Sequence, residues 1–252
     1  MKRFVFLSAL AALVAGCQTT TVKPSDEVLR VGVTPRSQPV IFKQGGTIMG
    51  IEADFAKQIG TALNRDVVFV EVPWDKQLDY LEQNKTDIIM SNMTITAPRS
   101  IRVNFTTPYL QSGLSAAFIR GKHEASGLIG SVMINQTRNI GYVKDTTGEF
   151  YAVQRFTRGT LKGFDSADEA VKAMIDGRID MFVHDAPVIW WLSARNERNI
   201  IAFPEVLNVE PVAWAVGRHN RQLLDDVNAL VQQWDRDGTT SKILGNWLPS
   251  FK

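Results

Sequence analysis

A single cysteine, Cys17, stands among 252 residues, so the chain cannot close an internal disulfide. Charge of one sign is also lacking, with 28 lysines and arginines against 26 aspartates and glutamates. Without Lys2 and Arg3 the two signs balance, which argues against nucleic acid as a partner. Histidine is scarce and scattered, at His123, His184 and His219, with no metal-ligand spacing, so no metal or other cofactor is expected. Neither G-x-S-x-G nor a Walker phosphate loop occurs. Beyond the first residues no apolar run approaches the roughly 18 needed to cross a bilayer, so the body is expected to be soluble.

What is present begins with an address. Lys2 and Arg3 precede an apolar run, Phe4 to Val14, that is too short for a membrane span and ends in small residues before Cys17. Residues 1–16 therefore read as a secretory signal. Val14-Ala15-Gly16-Cys17 resembles the lipobox of bacterial lipoproteins, which implies cleavage before Cys17 and a lipid on its sulfur that anchors the chain to a bacterial membrane. Lipidation also gives an otherwise exposed odd thiol a use. Residues 17–25 then read as a lipidated tether.

Strand and helix signals alternate along the body. Leu29 to Val33 is β-prone, Gly50 to Leu63 spaces Ile51, Phe55, Ile59 and Leu63 as a helix does, and Val67 to Val72 is β-prone again. Leu78 and Leu81 predict a helix ending near Asn84, followed by a strand at Ile88 to Met90. This predicts an α/β fold with parallel strands. The later half repeats the device with a helix at Ala167 to Ile175 and a strand at Met181 to Val183. Residues 84–92 and 176–185 both run turn, base, acid, apolar strand, then polar residues. Open α/β sheets bind ligands at the carboxyl ends of such strands.

Those ends are polar here. Thr96 fits a helix N-cap with Pro98 at an early helical position, so free amides and the Arg99 guanidinium would suit a carboxylate; a bare cap and a surface ion pair would use the same residues. Thr146 and Glu149 fit a capping box that starts a helix after Gly141 to Val143. Asp185 follows a strand, where it would neutralise an ammonium or simply terminate a turn before Pro187. Arg99 and Asp185 would match the two ends of a zwitterion if they shared a cleft.

Nearly all of the chain after the tether resembles the polar-amino-acid branch of the bacterial extracellular solute-binding proteins, family 3. The carrying residues are Leu29-Arg30-Val31-Gly32-Val33, Gly50-Ile51-Glu52-Ala53-Asp54-Phe55, Pro73-Trp74-Asp75, Asp87-Ile88-Ile89-Met90-Ser91, Met93-Thr94-Ile95-Thr96 with Arg99, and Phe105 with Pro108-Tyr109. The resemblance implies a two-lobed, type II periplasmic-binding-protein-like fold with its ligand cleft between the lobes. It implies a discontinuous first lobe, 26–114 plus 212–252, and an inserted second lobe, 115–211, joined by crossing segments near 111–117 and 209–213. It further implies that Arg99 takes a ligand carboxylate, with Asn92 and Thr94 as further contacts and Thr147 donating from the other lobe. Asp185 would hold the α-ammonium, and Trp74 would wall the side chain unless it is simply core.

Two positions depart from the family pattern. Ala53 replaces a larger apolar residue, and Ser37 stands where several relatives stack an aromatic on the ligand. Arg36 and His184 are added as recognition candidates, and an arginine there leans toward an acidic or polar ligand side chain. The implied partners are a small-molecule ligand, an amino acid by the resemblance, and the permease of an ABC importer, with the protein a monomer. A cyclohexadienyl-dehydratase-like enzyme shares the fold, but such enzymes carry a glutamate where Val188 stands, and an apolar side chain cannot donate a proton. A sensor subunit read by a membrane receptor is the other alternative.

Overall fold

The computed structural model describes residues 27–121 and 138–248. The signal, the tether and Cys17 lie outside them. The chain enters on β1 (Val28–Val33), turns through an antiparallel meander of β2 (Arg36–Ser37), β3 (Ile41–Gln44) and β4 (Thr47–Met49), and forms α1 (Ile51–Ala62). There follow β5 (Asp66–Glu71), α2 (Gln77–Glu82), β6 (Ile88–Ile89) and α3 (Ala97–Arg102). β1 pairs in parallel with β5 and β6 on its two sides. The short antiparallel strands β7 (Asn104–Phe105) and β15 (Ala215–Val216) complete this first sheet in the order β5-β1-β6-β15-β7.

The second sheet repeats that plan. β10 (Asn139–Val143) lies in parallel between β11 (Thr160–Phe164) and β12 (Met181–Asp185), and β9 (Leu114–Ile119) and β13 (Ile200–Ala202) close it antiparallel. Its helices are α4 (Thr147–Arg155), α5 (Ala167–Ile175) and α6 (Ala186–Arg195). β6 and β12 therefore hold equivalent places, where the matching passages 84–92 and 176–185 fall. β8 (Leu110–Ser112) leads from the first sheet to the second, β14 (Glu210–Val212) leads back, and the two pair antiparallel. α7 (Arg221–Asp237) and α8 (Thr239–Trp247) end the described chain.

The inner strands β1, β6, β9 and β12 are largely buried on both faces, as strands covered by helices require, whereas the edge strands β5 and β11 are partly exposed. Successive residues take opposite faces: Ile88 packs with Phe55 and Trp214, whereas its neighbour Ile89 packs with Leu81 and Val103. In β12, Phe182 faces the Val188 and Leu192 side while Met181 and Val183 face Phe118 and Phe156. Beneath the first sheet, Phe55 meets Tyr109, Trp214 and Trp234 at centroid distances of 5.3, 5.1 and 5.8 Å. Gly50 begins α1 at φ 119°, with a Cβ there 2.5 Å from Val40 O, so no other residue fits this helix entry. Among the described residues no helix is long and apolar enough to cross a membrane.

Candidate functional site

A cavity of about 660 Å³ opens between the lobes at the carboxyl ends of their parallel strands. Thr34 to Ser37 follow β1, Val72 to Asp75 follow β5, and Ser91, Asn92 and Thr94 follow β6. From the second lobe come Val143 to Thr147 after β10 and Asp185 at the end of β12. All ten ligand-site residues singled out from the sequence, Arg36, Ser37, Trp74, Asn92, Thr94, Arg99, Thr146, Thr147, His184 and Asp185, border this space. Sheet topology brings them together: the C-terminal ends of all parallel strands in each lobe point toward the other lobe.

Arg99 is placed by α3. Thr96 caps that helix, its hydroxyl accepting from Arg99 N at 3.4 Å, and Pro98 occupies the first turn. The Arg99 guanidinium donates to Thr94 O at 2.9 Å and lies 5.1 Å from the centre of the Trp74 ring, a cation–π distance. Trp74 is therefore half-buried cleft wall, not core; its Nε1 reaches across to Asp145 O at 2.8 Å. α3 spans six residues and its Pro98 lacks an N–H, so the anion preference there comes chiefly from Arg99 and little from the helix start.

The capping box expected at Thr146 and Glu149 does not form. Thr146 Oγ1 donates to Val143 O at 2.7 Å, and Glu149 accepts from Asp145 N at 2.7 Å, one residue before the cap. The left-handed backbone of Asp145, φ 60°, presents that earlier amide to Glu149. Thr146 still ends the strand and starts α4, whose first amides have no intrahelical partner by helix geometry.

Asp185 is the N-cap residue of α6, yet its side chain makes no cap bond. Its Oδ2 accepts instead from Asn92 Nδ2 of the first lobe at 3.0 Å. Burial raises the Asp185 pKa to about 7, with the negative charge of Glu210 adding to the rise and Arg99 and the Asn92 bond opposing it. His184 is buried beside it, Nδ1 3.2 Å from Asp185 Oδ2, and burial lowers its pKa to about 4, so it is neutral near pH 7. Arg36 lies exposed at the lip, and Ser37 sits beside it in β2.

Three polar residues that brace the site from outside the cavity lining went unnoticed in the sequence. Glu210 of β14 accepts from Thr94 Oγ1 at 3.1 Å and from Thr147 Oγ1 at 2.8 Å, so it links the two lobes. Glu52, buried at the start of α1, accepts from Asn92 N at 2.7 Å and Tyr109 OH at 3.0 Å; burial raises its pKa to about 8 against those two bonds. It thereby holds Asn92 in its left-handed conformation, φ 56°. Gln38 accepts from Trp191 at 3.3 Å and Arg195 at 3.0 Å across the lobes. Glu52 lay in a stretch already singled out, and an acid between Val209 and Pro211 in a crossing segment was the available signal for Glu210.

The geometry is that of a hinged cleft with a cation on one wall and an acid on the other. The arginine-binding periplasmic protein of Mannheimia haemolytica is 26% identical over 95% of this chain and 97% of its own length. A binding component of an ABC transporter from Wolinella succinogenes, solved with lysine, aligns at TM-score 0.82 and 27% identity, covering 88% of this chain and 95% of that one. An ancestral amino-acid-binding protein described as a precursor of cyclohexadienyl dehydratase aligns at TM-score 0.80 and 29% identity, covering 90% and 96%. Residues 29–250 match the model of the bacterial extracellular solute-binding proteins, family 3, and the chain belongs to that family.

Proposed function

We propose that the cleft binds an amino acid or similar small zwitterion, that binding closes the lobes about β8 and β14, and that the closed protein delivers its ligand to an ABC importer. The observation that carries this reading is Arg99 and Asp185 on one cavity from opposite lobes. Arg99 takes the carboxylate together with the main-chain amides of Thr94 and of the start of α4 at Thr147, while Asp185 and Asn92 take the α-ammonium. Trp74 walls the side chain, and Ser37, Arg36 and Thr146 border it. Closure is favourable because a ligand touching both lobes completes two half-sites, the hinge movement known for periplasmic binding proteins.

The first lobe is taken as 26–114 plus 212–252 and the second as 115–211. The protein acts as an exported monomer anchored through a lipid on Cys17. It is a binding protein and not an enzyme: Val188, at the position where the dehydratases carry glutamate, is 1% exposed and packs with Ile189 and Leu192. The dehydratase reading is kept as the second one because of the ancestral relative described above.

Thermal melting of the soluble body against the twenty amino acids, prephenate and arogenate tests both. At about 100 times Kd a ligand of the folded state adds roughly 2.7 kcal/mol, an upward shift on the order of 5 °C. A selective shift with an unaltered amino acid supports binding. Consumption of prephenate or arogenate, or no shift with any amino acid, rejects it.

A further inference from the structure

The two hydroxyls that face the Arg99 side of the cleft from opposite lobes, Thr94 Oγ1 and Thr147 Oγ1, both donate to one oxygen of Glu210. The other oxygen of Glu210 accepts from Asn208 Nδ2 at 2.8 Å. Both oxygens accept, as an ionised carboxylate does, and all three donors are neutral side chains. Glu210 is 9% exposed, so its charge acts through protein and is poorly screened.

The surrounding charges leave that carboxylate unbalanced. At the rim Lys43 pairs with Glu71 and Lys144 with Asp165, so these four contribute little net charge. Asp75 pairs with Lys76, and Arg36 and Asp145, opposite in sign, are both exposed at the lip, where water and salt screen them. In the interior Arg99 and Asp185 oppose one another, matching the carboxylate and ammonium of any amino acid. Glu210 remains.

The geometry points to Glu210 as a specificity-determining residue: it occupies the Thr94 and Thr147 hydroxyls and leaves the inner site one negative charge in excess, which selects an amino acid with a cationic side chain. The expectation of an acidic or polar ligand side chain, drawn from Arg36, gives way here because a buried charge outweighs an exposed one. This assignment rests on the amino-acid reading of the cleft.

Calorimetric titration of the wild-type protein and Glu210→Gln with arginine, lysine, citrulline and glutamate is the test, citrulline being a neutral copy of arginine in shape. The wild-type protein is expected to bind arginine or lysine at least about tenfold more tightly than citrulline, and Glu210→Gln to bring arginine and citrulline within about threefold of each other. Should Glu210→Gln fail to fold, the arginine-to-citrulline ratio of the wild-type protein decides alone, because Glu210→Asp would keep the charge. An arginine-to-citrulline ratio unchanged by the substitution, or wild-type protein that takes citrulline as tightly as arginine, overturns the assignment alone. Tight binding of another amino acid without arginine or lysine does the same. Silence across all twenty amino acids removes the amino-acid reading and this assignment together.

Discussion

Asp185 carries the sharpest expectations among single residues. Removing it leaves a ligand ammonium desolvated without a partner, so Asp185→Ala is expected to weaken binding by at least about 2 kcal/mol, roughly thirtyfold. Unchanged affinity in a titration would remove Asp185 from the site. Its pKa near 7 also couples binding to pH, because the ammonium needs the ionised form. Affinity should fall about tenfold from about pH 8 to about pH 6, and Asp185→Asn, though weaker, should lose that slope. A slope that persists in Asp185→Asn assigns the proton to another group.

The crossing strands set the geometry at the scale of elements. A Cβ on Gly113 would stand 1.9 Å from Asn208 O, so any larger residue forces β8 and the segment before β14 apart. Gly113→Ala is expected to lower stability by about 2 kcal/mol and to loosen the Asn208 bond to Glu210, read as an earlier denaturation midpoint. A midpoint equal to wild type would mean the strands separate without strain. Helix ends behave more locally: Asn220 Oδ1 accepts from Leu223 N at 3.2 Å at the start of α7, so Asn220→Ala should cost about 1 kcal/mol without touching ligand affinity. Both α1 and α5 were readable from their apolar spacing, since that period is a property of neighbouring residues. The Thr146 and Glu149 cap was misread because one left-handed residue, Asp145, moved the bonded amide by a position.

Buried acids tie the stability of the whole molecule to pH. Glu52 is raised from 4.5 to about 8 and Asp185 from 3.8 to about 7, so in the folded state each keeps a proton that the unfolded chain has released. Stability from these groups is present at low pH and is lost as pH rises through 7 and 8. His184 acts oppositely: lowered from 6.5 to about 4, it stays neutral while the unfolded chain takes up a proton, so stability falls as pH drops from 6.5 toward 4. The opposing effects overlap on the acid side, and above 6.5 the acids act alone. The melting temperature should therefore decline from about pH 6.5 to about pH 8.5, and Glu52→Gln should flatten that decline. A decline as steep in Glu52→Gln as in the wild type would assign it elsewhere.

What the sequence determined by itself was local: the strand and helix periods, the Thr96 cap, and which polar residues follow which strands. These are encoded within a few residues of one another, and two similar passages even marked equivalent strands in the two sheets. The juxtaposition of Asn92 with Asp185 across 93 residues and of Thr94 with Glu210 across 116 was decided by tertiary structure. Family resemblance placed Asn92 and Asp185 on one cleft as an expectation, but nothing local in the chain announced their hydrogen bond or that of Thr94 with Glu210. Packing of the lobes against β8 and β14 chooses such partners, because their energy depends on burial and direction in space, which neighbouring residues do not specify.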